Sequence, residues 1–146
     1  LDYGRGQHMK RIIYLFAIIM LMSGCATPLH QKIAPNRENL LKLSIGMSKE
    51  ETLRIMGTKS FSTYSQGNVL GIPSYLTITN PYRSEVLRGK DDKTFEVIYY
   101  VTDVKNDDNA ITDDELTPLI FDNGKLIGWG WSFLEDNAKK HEIRMR

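Results

Sequence analysis

The sequence predicts an α+β fold in which two short N-terminal helices pack on an antiparallel sheet of three or four strands, preceded by a signal-peptide helix. Three observations support this prediction. An apolar run follows two basic residues near the start of the chain, a helix-capping pattern appears near residue 48, and alternating apolar residues flank an Asn-Gly dipeptide in the second half. The chain has 146 residues, of which 41% are hydrophobic and 25% charged, a composition typical of one globular domain.

Charge and cysteine usage exclude several classes of protein. The chain carries 19 basic and 18 acidic residues, for a net charge of +1, whereas general nucleic-acid binding requires a basic surface. Its one cysteine excludes an intramolecular disulfide and a multi-cysteine zinc site. We therefore expect neither a nucleic-acid partner nor a metal.

The first 24 residues have the pattern of an upstream extension followed by a signal peptide. Residues 1–8 precede Met9, a candidate initiator, and Lys10 and Arg11 supply the positive charge that begins a signal peptide. The eleven residues Ile12–Met22 are all apolar. As a helix they would span roughly 16 Å, about half of the ~30 Å core of a bilayer. The length therefore indicates a secretory signal.

The apolar run ends at Met22-Ser23-Gly24-Cys25, which resembles the lipobox of bacterial lipoproteins. The resemblance implies cleavage between Gly24 and Cys25, a lipid on the sulfur of Cys25, and acylation of the new N-terminus. Ala26, which stands where Asp would retain the protein, implies sorting to the outer membrane. An uncleaved signal anchor or a short buried helix is the alternative interpretation.

The first part of the mature chain contains a lipid-anchored tether, residues 25–36, and then two short helices. The first helix is predicted at Arg37–Leu43. For the second, Ser48 and Glu51 have the spacing of a capping box, and Gly57 provides the stop. Helices this short are not stable alone, so we expect them to dock on the sheet.

The β part begins after an apolar segment, Thr58–Pro81, that has no clear period and that we expect to lie on the sheet. The strands are predicted at Tyr82–Arg88, Thr94–Asp103, Leu116–Asp122 and Lys125–Leu134. The second of these strands alternates and would place Phe95, Val97, Tyr99 and Val101 on one face. Asn123-Gly124 is the preferred dipeptide of a type I′ turn, which would place Asp122, Phe121, Ile120 and Leu119 opposite Lys125, Leu126, Ile127 and Gly128. On that register one sheet face carries Trp129, Trp131 and Phe133, and the other carries Leu119, Phe121 and Leu126.

Two stretches resemble a known family. The stretch Leu43–Glu51, followed by Ile55-Met56-Gly57, resembles the opening of the SmpA/OmlA lipoproteins, the BamE-like family. The stretch Asp113–Phe121, with Gly128-Trp129-Gly130-Trp131, looks more like the uncharacterised members of that family than like BamE itself. The resemblance implies a BamE-like domain over residues 37–137, a separate basic tail over 138–146, and support of outer-membrane protein assembly or envelope integrity. It brings no catalytic residues.

Three clusters have both a functional and a structural interpretation. The acidic loop around Asp113 and Asp114 would suit calcium, but it lacks the EF-hand spacing and is more typical of a solvated turn. The tail residues Lys139, Lys140, His141, Arg144 and Arg146 would contact anionic lipid or be a solvated terminus. Trp129 and Trp131 would stack on a sugar or lie in the core. No nucleophile or metalloprotease motif is present, so we predict no enzyme activity.

These observations predict a lipid-anchored, non-enzymatic protein on the periplasmic face of the bacterial outer membrane, with an envelope protein as its partner and no cofactor except the lipid on Cys25. Two short helices cover one sheet face only, so the other face would take the segment 61–78 as a lid or bind the partner. The predicted interaction surface is Leu119, Phe121, Leu126, Trp129 and Trp131. The alternative is a periplasmic lipoprotein that binds envelope glycan or anionic lipid.

Overall fold

A four-stranded antiparallel sheet lies at the centre of the structure, a computed structural model that describes residues 29–65, 74–105 and 110–144. The helices are α1 (Leu29–Leu40), α2 (Lys49–Met56) and α3 (Trp131–Lys140). The strands are β1 (Phe61–Ser65), β2 (Ser74–Ile78), β3 (Arg83–Arg88), β4 (Thr94–Val101), β5 (Leu116–Asp122) and β6 (Lys125–Trp129), with a 3-10 turn at Asp113–Glu115. The large sheet has the order β3-β4-β5-β6, and β1 pairs with β2 in a separate antiparallel hairpin. The predicted α+β class is confirmed.

None of the helices within the described ranges is both long and apolar enough to cross a bilayer. Gly24 and Cys25, the predicted cleavage and lipidation site, lie outside those ranges.

The first face of the large sheet is covered by three different parts of the chain. Strand β4 alternates as predicted and places Phe95, Val97, Tyr99 and Val101 on this face. Ile33 of α1, Ile78 of β2 and Leu134 of α3 pack against them, and each of these three is almost completely buried. The hairpin β1–β2 therefore lies on this face of the sheet, as expected for the segment 58–81, and not over the opposite face.

The second face of the large sheet is closed by α2 and by the loop that precedes it. It carries Ile98 and Tyr100 of β4 with Leu119, Phe121 and Leu126 of the last hairpin. Met56 of α2 and Leu43 of the loop cover them. The prediction that the segment 61–78 or a partner would cover this face was wrong, because the two N-terminal helices are divided between the two faces. Helix α1 contributes to the first face, whereas α2 covers the second.

Helix α2 begins and ends where the sequence predicts. The Ser48 hydroxyl accepts a hydrogen bond from the Glu51 backbone N–H at 3.1 Å, and Gly57 has a φ of 84°.

Helix α1, in contrast, begins at Leu29, so the prediction of a tether up to residue 36 was wrong. Proline disfavours a helix interior, yet Pro35 lies inside α1. The helix is held on the sheet by Ile33, which is buried, and by the side chain of Asn36, which donates to the Val101 carbonyl at 2.8 Å.

The last hairpin keeps the predicted turn but not the whole predicted register. Asn123 and Gly124 both have positive φ, and Asp122 and Phe121 lie opposite Lys125 and Leu126, as predicted. Beyond them the register shifts, so that Ile120 pairs with Gly128 and Leu119 with Trp129. An extra residue in β6 explains the shift, because a β-bulge places two residues opposite one.

The chain leaves the sheet at Gly130, where φ is 90°, and forms α3. The prediction of a strand up to Leu134 was therefore wrong. The buried residues Leu134 and Ala138 lie four positions apart, on the same side of the helix. The separate tail predicted from residue 138 was also wrong, since Ala138 is buried in α3 and the Lys90 backbone N–H donates to the His141 carbonyl at 3.2 Å.

Candidate interaction surface

Three residues of the predicted interaction surface are part of the core. Leu119 and Leu126 have no exposed surface, and Phe121 is 1% exposed. They pack under α2 with Ile98 and Tyr100. Because side chains buried this deeply cannot contact a partner, this part of the prediction was wrong, and a docking surface must lie elsewhere on the molecule.

The two tryptophans do not form a shared platform. Trp129 ends β6 and packs against the second face, whereas Trp131 begins α3 and packs against the first face. The indole N–H of Trp131 donates to the backbone carbonyls of Asp113 at 3.1 Å and Leu116 at 2.8 Å. Both side chains are half-buried, and the prediction that they share one face was wrong because the register shift and the turn at Gly130 separate them.

Each of three carboxylates in the acidic loop has its own separate hydrogen-bond or ion-pair partners. Asp113 pairs with Arg83 at 3.0 Å and Asp114 pairs with Lys105 at 2.7 Å. Glu115 is 1% exposed, and its carboxylate accepts hydrogen bonds from the backbone N–H groups of Lys105 at 2.7 Å and Thr112 at 3.0 Å. In the described part of the chain, no three His, Cys, Asp or Glu side chains are grouped so that they could hold a metal ion.

A small pocket of about 330 Å³ lies between β3, the 3-10 turn and α3. The Arg83 guanidinium lies 4.2 Å from the centroid of the Tyr99 ring, and the Tyr99 hydroxyl donates to the Glu85 carboxylate. Burial, reinforced by Glu85, raises the pKa of Tyr99 well above its ordinary value. Since Arg83 also pairs with Asp113, the charged groups of this pocket already bind one another, and we interpret the pocket as a structural cross-link.

Two of the strongly exposed large apolar residues in the described part of the chain lie together in the α1–α2 loop, residues 41–48. Leu41 is 88% exposed and Ile45 is 64% exposed. The loop is fixed to β6, because the Gly46 N–H donates to the Leu126 carbonyl and the Leu126 N–H donates to the Met47 carbonyl, each at 2.8 Å. These bonds fix the backbone beside Ile45, and the Leu41 N–H donates to the Glu38 carbonyl at 3.3 Å, at the end of α1. Leu41 and Ile45 are here called the loop pair.

Next to this loop lies a groove of about 880 Å³ between α1, α2 and the segment that follows α2, here called the helical groove. Leu53, Met56 and Phe61 are among its apolar lining residues. Its charged lining residues are Lys32, Arg54 and Lys59, with Glu50 as the one carboxylate. Among the described residues, neither Arg54 nor Lys59 has an ion-pair partner.

Sequence reasoning missed both the loop pair and the helical groove. Leu41 was counted as part of a predicted helix, and Ile45 received no role. The available signal was the occurrence of large apolar residues within the six residues that end at Gly46, in a loop, where polar residues are more common. The cations of the groove come from separate elements, so no local pattern in the sequence indicates that they lie together.

Three basic residues near the end of the chain are exposed to solvent. Lys139 and Lys140 are exposed on α3, and Arg144 is exposed after it. Contact of this region with anionic lipid stays a prediction.

A family model described as "Protein of unknown function (DUF3192)" matches residues 26–136. No curated protein and no solved structure matches the chain.

Proposed function

Since the chain belongs to the family described as Protein of unknown function (DUF3192), we propose a function from its own residues. It is a lipid-anchored, non-enzymatic protein on the periplasmic face of the bacterial outer membrane. There it binds an envelope protein and supports outer-membrane protein assembly or envelope integrity. The contact surface lies at the loop pair, Leu41 and Ile45, and not on the sheet faces.

The anchor part of the proposal rests on the lipobox and on the spacing that follows it. The family match begins at residue 26, directly after Cys25. Helix α1 begins at Leu29, four residues after that cysteine. Four extended residues span at most about 14 Å. A lipid on Cys25 would therefore keep the folded domain against the membrane.

The main support for the proposed contact surface is the exposure of the loop pair. Single exposed apolar residues are common on protein surfaces. Leu41 is 88% exposed and its N–H is bonded to the Glu38 carbonyl, whereas Ile45 is 64% exposed and its neighbours Gly46 and Met47 are bonded to β6. Two apolar residues on one loop whose backbone is fixed in this way offer a preorganised apolar contact. Preorganisation favours binding because less conformational entropy is lost when the partner docks.

The SmpA/OmlA resemblance is part of the same proposal. Helix α2, with its Ser48 cap and Gly57 stop, and the antiparallel sheet that follows it support a BamE-like order of elements. We propose that the chain is a distant relative of that family with its own partner.

The test is chemical cross-linking in intact cells, followed by purification of the full-length protein with its native lipid. The double variant Leu41→Ser, Ile45→Ser should lose the cross-linked partner that the wild-type protein captures, since it removes the apolar contact. Val86→Ser is the matched control, because Val86 is 66% exposed but lies on β3.

The control variant should capture the partner as the wild-type protein does. Equal recovery of the partner by the double variant would contradict the assignment of the contact to the loop pair.

A further inference from the structure

The helical groove has the chemistry of a peptide-binding site. We propose that it binds an acidic peptide segment with apolar anchor residues, supplied by the envelope partner. The inference rests on the proposed function in one respect, namely that the protein acts through protein–protein contacts. It adds a second contact site and the chemical class of the segment that binds there.

The positive charge of the groove indicates that its ligand carries negative charge. Lys32 of α1, Arg54 of α2 and Lys59 of the following segment line it, against the single carboxylate of Glu50. The whole chain has a net charge of only +1, so this basic excess is local. Arg54 and Lys59 are exposed and, within the described ranges, are not neutralised by an ion pair. Charge complementarity therefore favours a ligand with carboxylates.

The lining of the groove distinguishes a peptide from a lipid. Half-buried Leu53 and Phe61 offer an apolar surface for anchor side chains. Thr58 and Ser60 lie on the same lining and present hydroxyl groups. An acyl chain would bury these polar groups without hydrogen bonds, which is unfavourable. A peptide carries a donor and an acceptor at almost every residue and can satisfy them.

Size and position agree with this occupant. A volume of about 880 Å³ is at the upper end of small-ligand pockets and has room for several side chains. Asn39, which lines the groove, precedes Leu41 of the loop pair by two residues. A partner that contacts the loop pair can therefore place a neighbouring segment in the groove.

The test is selection from a displayed library of random peptides on the full-length protein in detergent micelles. The enriched peptides should carry Asp or Glu beside apolar residues. The affinity of the most enriched peptide should fall about tenfold in the double variant Arg54→Glu, Lys59→Glu, because two attractive charges become repulsive. The matched control is Lys139→Glu, Lys140→Glu, which reverses two exposed cations on α3 and should bind as the wild-type protein does.

Four results would overturn the proposal. Enriched peptides without acidic residues would contradict the charge argument, and unchanged affinity in the Arg54→Glu, Lys59→Glu variant would contradict the location. A loss of binding to phosphatidylglycerol vesicles in that variant, with peptide affinity unchanged, would assign the groove to lipid. An acidic peptide whose affinity depends on Leu41 and Ile45 but not on Arg54 and Lys59 would overturn the groove while leaving the proposed function intact.

Discussion

At the scale of single residues, buried polar groups connect the helices to the sheet. Tyr100 has no exposed surface, and its hydroxyl donates to the Gly57 carbonyl at 3.0 Å, at the point where α2 ends. On the other face, Asn36 donates to the Val101 carbonyl and exchanges hydrogen bonds with the Asn80 amide. Each bond satisfies a group that folding removes from water, so losing one partner is costly.

Replacing Tyr100 with Phe tests the bond to α2. The change leaves the Gly57 carbonyl without this donor and should lower the free energy of unfolding by about 1–2 kcal/mol in urea denaturation at neutral pH. Tyr82→Phe is the control, because Tyr82 is half-buried and the described residues show no hydrogen bond to its hydroxyl; it should change stability by less than about 0.5 kcal/mol.

The burial of Tyr100 also predicts how the stability of the protein changes at alkaline pH. Burial raises the pKa of Tyr100 from 10.0 to about 12. Between these values the folded protein keeps a proton that the unfolded chain releases, so wild-type stability should fall as the pH rises through this range. The fall should be smaller in Tyr100→Phe, and an equal fall in both proteins would contradict the assigned pKa.

Single residues also show where sequence reasoning succeeds. The Ser48 cap, the positive φ of Gly57, the Asn123-Gly124 turn and the alternation of β4 were all predicted, because each depends on neighbours in the sequence. The role of Gly128 was not predicted. A Cβ there would lie 2.5 Å from the Phe133 ring, so Phe133 of α3 covers this glycine. That contact depends on the bulge, which leaves no pattern in the sequence.

At the scale of elements, the errors come from helices that tertiary contacts stabilise. Helix α1 contains Pro35 and has little helical signal of its own, yet Ile33 and Asn36 anchor it to the sheet. Helix α3 begins with Trp131 and Phe133, which favour strands, and it forms because Gly130 turns the chain out of the sheet. The two sheet faces could be predicted, but the elements that cover each face could not.

The end of α3 is attached to the turn between β3 and β4 by an interaction that depends on pH. The imidazole of His141 donates from Nδ1 to Asp91 Oδ2 at 2.7 Å, and Lys90 pairs with Glu142 in the same region. The hydrogen bond from His141 lowers the pKa of Asp91 below its usual value of 3.8. A lowered carboxyl pKa stabilises the fold above the unfolded pKa, and this stabilisation is lost as the pH falls through the folded pKa.

Asp91→Asn should therefore be less stable than the wild-type protein at neutral pH, and the difference should shrink below about pH 4. The measurement is thermal unfolding as a function of pH. Asp136→Asn serves as the control, since Asp136 is exposed on α3 and has no ion pair among the described residues. A difference between Asp91→Asn and the wild-type protein that stays constant down to pH 2 would contradict the assigned role of this carboxylate.

At the scale of the whole molecule, the chain uses its own elements to close both faces of the large sheet. Helices α1 and α3 and the β1–β2 hairpin cover one face, and α2 covers the other. This leaves the loop pair and the helical groove as the surfaces proposed for a partner. The sequence-based choice of Leu119, Phe121 and Leu126 failed because it assigned both N-terminal helices to one face and included no third helix.

The proposed membrane location depends on Cys25, and the central claim is tested there most directly. Cells that express the full-length protein are labelled with radioactive palmitate, and their membranes are then fractionated. We expect the wild-type protein to carry the label and to fractionate with the outer membrane. Cys25→Ser should remain an unlabelled, uncleaved precursor. A water-soluble wild-type product with an unmodified thiol would contradict the account.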